Sequence, residues 1–325
     1  NVQASSMRKL TAPLALVCLA LAVLPFALGS TTLASELVVF ALGALSATFL
    51  AGRVGLLSFG QGLFFGIGAY GTGMLSKLAS MGTGVSISLS VAAAVLVAVA
   101  VGYLIVHRRG VYFVMLTLAF AQMGFFLMVA FSPITGGENG LLDIPRTALF
   151  GGLIPLSGAG AIYAFIAVIF ILALLVVLRV VRSPAGSVLA GTRENESRIA
   201  ALGYNPRLYK TFAFAFAGGI AALAGAMHTV FLGFVPPNVI EPEMSQTLLV
   251  MALIGGTGSP FGALVGSAFY VILGHFLSAI WPRWMIIIAL LLIVVVLFMR
   301  GGLLQAGQDL ARWITGRRHR NDGHP

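Results

Sequence analysis

Charge is scarce in this chain: only 9% of its 325 residues are Asp, Glu, Lys or Arg, and nine of them in all are acidic. With 59% hydrophobic residues and a mean hydropathy of +1.03, a water-soluble domain is excluded, because no single core hides that much apolar surface. Cys18 is the only cysteine, which excludes an intrachain disulfide and a thiolate metal cluster. No Asp or Glu lies deep in an apolar run, so the carboxylates that couple many secondary transporters to protons or sodium are missing. There is no G-x-x-x-x-G-K-[ST], so any ATP hydrolysis belongs to another chain. No serine, histidine and acid grouping and no paired-histidine spacing points to catalysis, a metal or a cofactor. The absence of ten-residue alternating segments excludes a β-barrel.

Long apolar runs are what the chain has. About 20 such residues cross a hydrocarbon layer as a helix that satisfies its own backbone hydrogen bonds. Runs at 11–29, 36–50, 54–76, 85–106, 111–131, 161–181, 210–233, 245–257, 261–280 and 284–299 predict an all-α polytopic bundle of about ten spans. The second and eighth are short and suggest interrupted or re-entrant segments. Ten alternating spans from a cytoplasmic N-terminus put Lys77, Arg146 and Arg283 outside and the other sixteen Lys and Arg inside, including Arg8, Lys9, Arg53, Arg109 and Arg300. That is the positive-inside asymmetry of a plasma (inner) membrane protein with both termini cytoplasmic. The pI of about 10.5 is then a topology signal, with no patterned patch for nucleic acid. The run from Met7 is read as a retained first span, and residues 1–6 as an expression remnant ahead of a single domain, 7–325.

Three polar stretches interrupt the spans. Residues 132–160 form an external loop, with Pro133, Gly136, Gly137 and Pro145 set against any regular element. Residues 234–243, FVPPNVIEPE, read as a short external turn without helix. The internal island from Ser183 to Ala201, SPAGSVLAGTRENESRIAA, reads as two short helices: Pro184 opens the first, Gly191 breaks the run, and Thr192 caps the second with Glu194 in its first turn. Glu194 and Arg198 then stand four apart, and Gly203 stops the helix before Asn205-Pro206.

Glycine, 40 residues in all, concentrates at 55–73 and 255–266. Gly62 with Gly66, and Gly262 with Gly266, have the spacing that lets helix backbones approach, and Gly255, Gly256 and Gly258 add packing or hinge positions. Dense glycine beside Ser58, Gln61, Thr257, Ser259 and Pro260 also permits broken helices, which persist at membrane depth only where buried or lining a cavity. The likeness of the two segments hints at a duplicated architecture. Gly66, Gly68 and Gly71 satisfy G-x-G-x-x-G without the strand a nucleotide site needs. Asn195-Glu196-Ser197 is a sequon on the wrong face. His228 and His275 either line a pathway or bond a neighbouring helix. The same alternatives hold for Gln61, Gln122 and Gln246.

Taken together, LLSFGQGLFFGIGAY at 56–70, GVYFVMLTLAFAQM at 110–123, TGGENGL at 135–141, RENESRIAALGYN at 193–205, KTFAFAFAGGIAALAGAM at 210–227, IGGTGSPFGALVGSAF at 254–269 and LFMRGGLL at 297–304 resemble the permease subunits of bacterial branched-chain amino acid ABC importers of the LivM type. The resemblance implies a substrate-moving subunit without enzymatic activity that works by alternating access beside a second permease subunit, two ABC ATPase subunits and an extracytoplasmic solute-binding protein. It implies that residues 183–204 are a cytoplasmic coupling element, with Arg193, Glu194, Asn195, Glu196, Ala200 and Gly203 at its signature positions, transmitting ATPase closure as a rigid-body push. Ser187 and Ala190 stand where the family has basic residues, and Gly191 replaces a helix former, which should loosen the first half. A translocation route is expected near Ser58, Gln61, Phe64, Tyr70 and Gln122. Relatives carry urea, short amides or other amino acids. An ABC permease for sugars or nucleosides is the nearest alternative, and an ATPase-independent transporter or channel the next.

Overall fold

The computed structural model describes residues 2–108, 110–145, 158–280, 282–298 and 301–307, with the side chains of 2–13 and 295–298 set aside. Arg109, Arg300, the basic residues beyond 311, Asp309, Asp322 and residues 146–157, with Arg146, lie outside them.

Thirteen α-helices are numbered in chain order among the described residues: α1 Val2–Leu28, α2 Thr31–Phe49, α3 Gln61–Lys77, α4 Thr83–Ile105, α5 Val111–Ala130, α6 Ser132–Thr135, α7 Ala159–Arg182, α8 Pro184–Glu194, α9 Glu196–Ala201, α10 Pro206–Leu232, α11 Pro242–Gly255, α12 Gly262–Ile280 and α13 Trp284–Phe298. Among the described residues, six segments are long and apolar enough to cross a membrane: Thr31–Val54, α4, α5, α7, α10 and α12. Shorter apolar helices lie at Leu14–Leu28 and Trp284–Val294, and α3 and α11, of 17 and 14 residues, fall below that length. α2 and α10 form the centre, buried over 83% and 78% of their most apolar stretch, against 28% for α5 and α12.

Three boundaries differ from expectation. The second span is not short, because a π-helical turn, Leu50–Val54, extends α2 to 24 residues. The third span begins at Gln61 and not near residue 54, since Gly55, at φ +75°, ends the π-turn and residues 55–60 are non-helical. The stretch 132–145 carries regular structure after all: α6, a 3-10 turn at Gly137–Asn139, and an antiparallel bridge between Leu141 and Val235.

Residues 235–241 are also not a simple external turn. Val235 packs at Gly73, Ile240 against Gly66, and the Glu241 carbonyl at Gly62, so the segment runs antiparallel down α3 along about 16 Å of helix at 1.5 Å per residue. The prolines that prevent a long helix leave room for one 3-10 turn, Pro237–Ile240, before Pro242 starts α11 inside the bundle. Non-helical backbone is sustained there because protein surrounds it: Val235 and Val239 are fully buried, and Gly62 N–H donates to Ser245 Oγ at 2.7 Å.

Apolar burial gains little against lipid tails, so close backbone approach holds the helices together. A Cβ on Gly68 would lie 1.9 Å from the Ala222 carbonyl oxygen, and one on Gly225 would lie 1.9 Å from that of Phe65, so α3 and α10 touch backbone to backbone. The G-x-G-x-x-G run is thus a packing face: Gly66 meets Ile240, Gly68 meets Ala222 and Gly71 meets Ser90.

Candidate functional site: the basic end of the bundle

α7 stops at Arg182 because Ser183 turns extended, accepts from Gly186 N–H at 3.3 Å and donates to the Val180 carbonyl at 2.6 Å, with Pro184 opening α8. The corner is tight enough that a Cβ on Gly186 would fall 2.4 Å from the Val181 oxygen. α8 lays Val188, Leu189 and Thr192 against the bundle and leaves Ser187 and Glu194 exposed.

The internal division of the island differs from the sequence reading. α8 continues through Gly191 to Glu194, and Thr192 Oγ1 bonds back to the Val188 carbonyl at 2.8 Å. Asn195 is the cap of α9, extended at φ −155°, with its Oδ1 accepting from Arg198 N–H at 3.0 Å. Glu194 therefore ends one helix and Glu196 begins the next, and Glu194 and Arg198 are not neighbours on a shared helix. Gly191 lies within continuous α8; Ile199 folds back onto it, and a Cβ there would come 2.7 Å from Ile199 Cδ1. Gly203, at φ +87°, ends the element, and Asn205 caps α10 through Arg207 N–H with Pro206 in its first turn.

Side chains tie the island to two spans, and a third contact braces the start of α10 beside it. Lys210 Nζ meets Glu196 Oε2 at 2.7 Å, with the two side chains 6% and 22% exposed. Arg193 Nη1 donates to the Gly52 carbonyl in the π-turn, and its aliphatic stem lies over Gly55. Arg207 donates twice to the Tyr103 carbonyl at the end of α4 and stacks 4.0 Å over that ring. On the other side of the π-turn, Gly52 abuts the Thr257 carbonyl, so the two glycine-rich breaks touch. An open recess of about 710 Å³ remains between Gly55, Leu57, Arg193, Glu196, Lys210 and Thr257.

Of the six expected coupling residues, Arg193, Glu194, Asn195, Ala200 and Gly203 are exposed and Glu196 turns inward. Leu202, 67% exposed beside Ala200 and Gly203, escaped the sequence reading because a leucine in an apolar-rich chain carries no signal of its own. Arg207 escaped it too; Asn205-Pro206 marked the helix start but not the aromatic partner on a distant helix.

The five expected pathway residues are not brought together. Ser58, Gln61, Phe64 and Tyr70 are buried within the bundle. Ser58 Oγ accepts from Gly60 N–H at 3.1 Å, Gln61 Oε1 accepts from Ser46 Oγ at 3.2 Å, and Phe64 meets Phe214 edge-on at 5.4 Å. Gln122 sits on the opposite, outward side of α5 with Met123 and Phe126. His228 is buried edge-on between Phe40 and Phe65, whereas His275 is exposed. Among the expected packing glycines, Gly62, Gly66, Gly255, Gly256, Gly262 and Gly266 make close backbone or side-chain approaches. Gly258 does not, having nothing within 4 Å of a built Cβ.

A bundle of interrupted spans with a polar two-helix island tied to its basic end is the build of a membrane transport subunit. Residues 30–297 match the family described as branched-chain amino acid transport system / permease component, and the chain belongs to that family. It is 27% identical over 265 residues to the high-affinity branched-chain amino acid transport system permease protein LivM of Escherichia coli, covering 75% of this chain and 62% of that protein. Identity to the LivM of Salmonella typhimurium is 26% with the same coverage. Over 104 residues, 30% of each chain, it is 30% identical to the autoinducer 2 import system permease protein LsrC of Salmonella choleraesuis. The chain thus spans 62% of the length of the LivM relatives it matches. No solved structure matches it.

Proposed function

We propose that this chain is a transmembrane subunit of an ATP-driven importer of branched-chain amino acids, working by alternating access in a bacterial inner membrane with its basic end in the cytoplasm. The observation that carries the reading is the polar island α8–α9, a solvated element between two apolar spans with inward ties to the bundle and an exposed tip at Ala200, Leu202 and Gly203. Such an element serves a cytoplasmic ATPase as a docking surface, while a second permease subunit completes the route and an external binding protein delivers the solute. The route runs along the outward side of α5 past Gln122 and the exposed Leu57. Gln61, Phe64 and Tyr70 support it from behind.

The test is to express the chain with the ATPases, second permease and binding protein encoded beside it, purify through a tag on this chain, and measure uptake into vesicles. Two ATPases should co-purify, and leucine, isoleucine and valine should accumulate only with ATP and loaded binding protein. Assembly with uptake of urea, a short amide or a sugar in their place would keep the permease and reject the substrate. Uptake without ATP or without the ATPases would reject the reading as a whole.

A further inference from the structure

We propose that the signature residues Arg193 and Glu196 work inward, as the two levers by which the island moves the bundle, and not as a grip on the ATPase. This rests on the functional reading above. Glu196 opens α9, and its partner Lys210 lies one turn into α10, at 2.7 Å and almost fully buried. Such a pair is a weak source of stability, because desolvating the charges offsets much of their attraction, but it is a stiff one: withdrawing Glu196 takes this carboxylate away from the buried Lys210 ammonium. Arg193 reaches from the last turn of α8 to the Gly52 carbonyl in the π-turn. That turn is an adjustable joint. Gly55 and Leu56 both donate to the Leu50 carbonyl, so one acceptor serves two registers of the same turn. With Thr257 against the other face of Gly52, displacement of α8 bears directly on the joint between α2 and residues 55–60. The levers end on α2 and α10, the two central helices, whereas the exposed Glu194, Arg198 and Leu202 are free to meet a partner.

The experiment uses the complete complex in vesicles and reads solute taken up per ATP hydrolysed, with bound ATPase and melting temperature followed in parallel. Glu196→Lys and Lys210→Glu should each retain bound, hydrolysing ATPase while uptake per ATP falls about tenfold, and the double swap should return it to within about threefold of the parent. Arg193→Gln should uncouple in the same sense. If either charge reversal fails to assemble, Glu196→Gln and Lys210→Gln carry the same measurement. Unchanged uptake per ATP in the single variants, no recovery in the swap, or lower melting temperature with coupling intact would each overturn the proposal, the last by making the pair a structural brace. Loss of ATPase from otherwise intact single variants would also overturn it, by assigning the residues to the docking surface. Failure of the parent chain to bring down any ATPase would instead sink the functional reading itself.

Discussion

At the scale of single residues, two glutamines of similar sequence context have different surroundings. Gln61 is buried at α3's first residue and bonds Ser46 of α2, so it joins two spans. Gln122 faces out from α5 among Ala119, Met123 and Phe126, where an amide has no protein reason to be. Gln122→Leu should slow uptake several-fold with assembly and melting temperature unchanged. Gln61→Leu should lower the melting temperature, at a cost of about 1 kcal/mol for the lost interhelical bond, and spare uptake in the complex that survives. Reversed results would move the route back into the bundle. Both residues were visible in the sequence as polar groups in apolar spans. Their difference was not, because it depends on which side of its helix each occupies, and α3 and α5 are too evenly apolar to show a buried face.

Among elements, the α3–α10 contact decides whether the bundle closes. Gly68 and Gly225 are each opposed by a carbonyl oxygen of the other helix, and backbone cannot step aside as a flexible side chain can. Gly68→Ala or Gly225→Ala should therefore destabilise by about 3 kcal/mol or more, at or beyond the upper end of ordinary overpacking. The outcome is read as melting temperature and yield in detergent. Gly82→Ala, with open space around its Cβ and an ordinary φ of −59°, is the control and should change neither. Equal melting temperatures for all three would mean that the helices are not in backbone contact. The glycine-rich runs announced close packing, and the spacing rule found Gly62 and Gly66 but passed over Gly68 and Gly225. Which glycine meets which carbonyl is set by the crossing of two helices far apart in sequence.

For the whole molecule, the arrangement turns on which end faces which compartment. The turn between α3 and α4 lies at the opposite end from the island, and Ala79 in that turn and Ser187 on α8 are both exposed. In a Cys18→Ser background, Ala79→Cys should react with a membrane-impermeant thiol reagent added outside sealed cells. Ser187→Cys should react only after the membrane is opened. Labelling of Ser187→Cys alone from outside would invert the topology, and labelling of both would break the opposite-end arrangement; either would remove the island from the ATPase's reach.

The sequence by itself determined the class of protein, its many apolar spans and the existence of a polar island, because hydropathy and charge are sums over segments and survive ignorance of packing. It also placed the stops at Gly203 and Asn205-Pro206, where a left-handed glycine and an asparagine–proline start are local in cause. Only tertiary structure decided that α2 ends in a π-turn, that residues 235–241 descend along α3, that Gly191 stays helical beneath Ile199, and that Glu196 turns to Lys210 instead of outward. Each of these depends on a partner distant in sequence or on another helix: a carbonyl, a glycine groove, a folded-back side chain or a single ammonium group. Local periodicity carries no record of such partners.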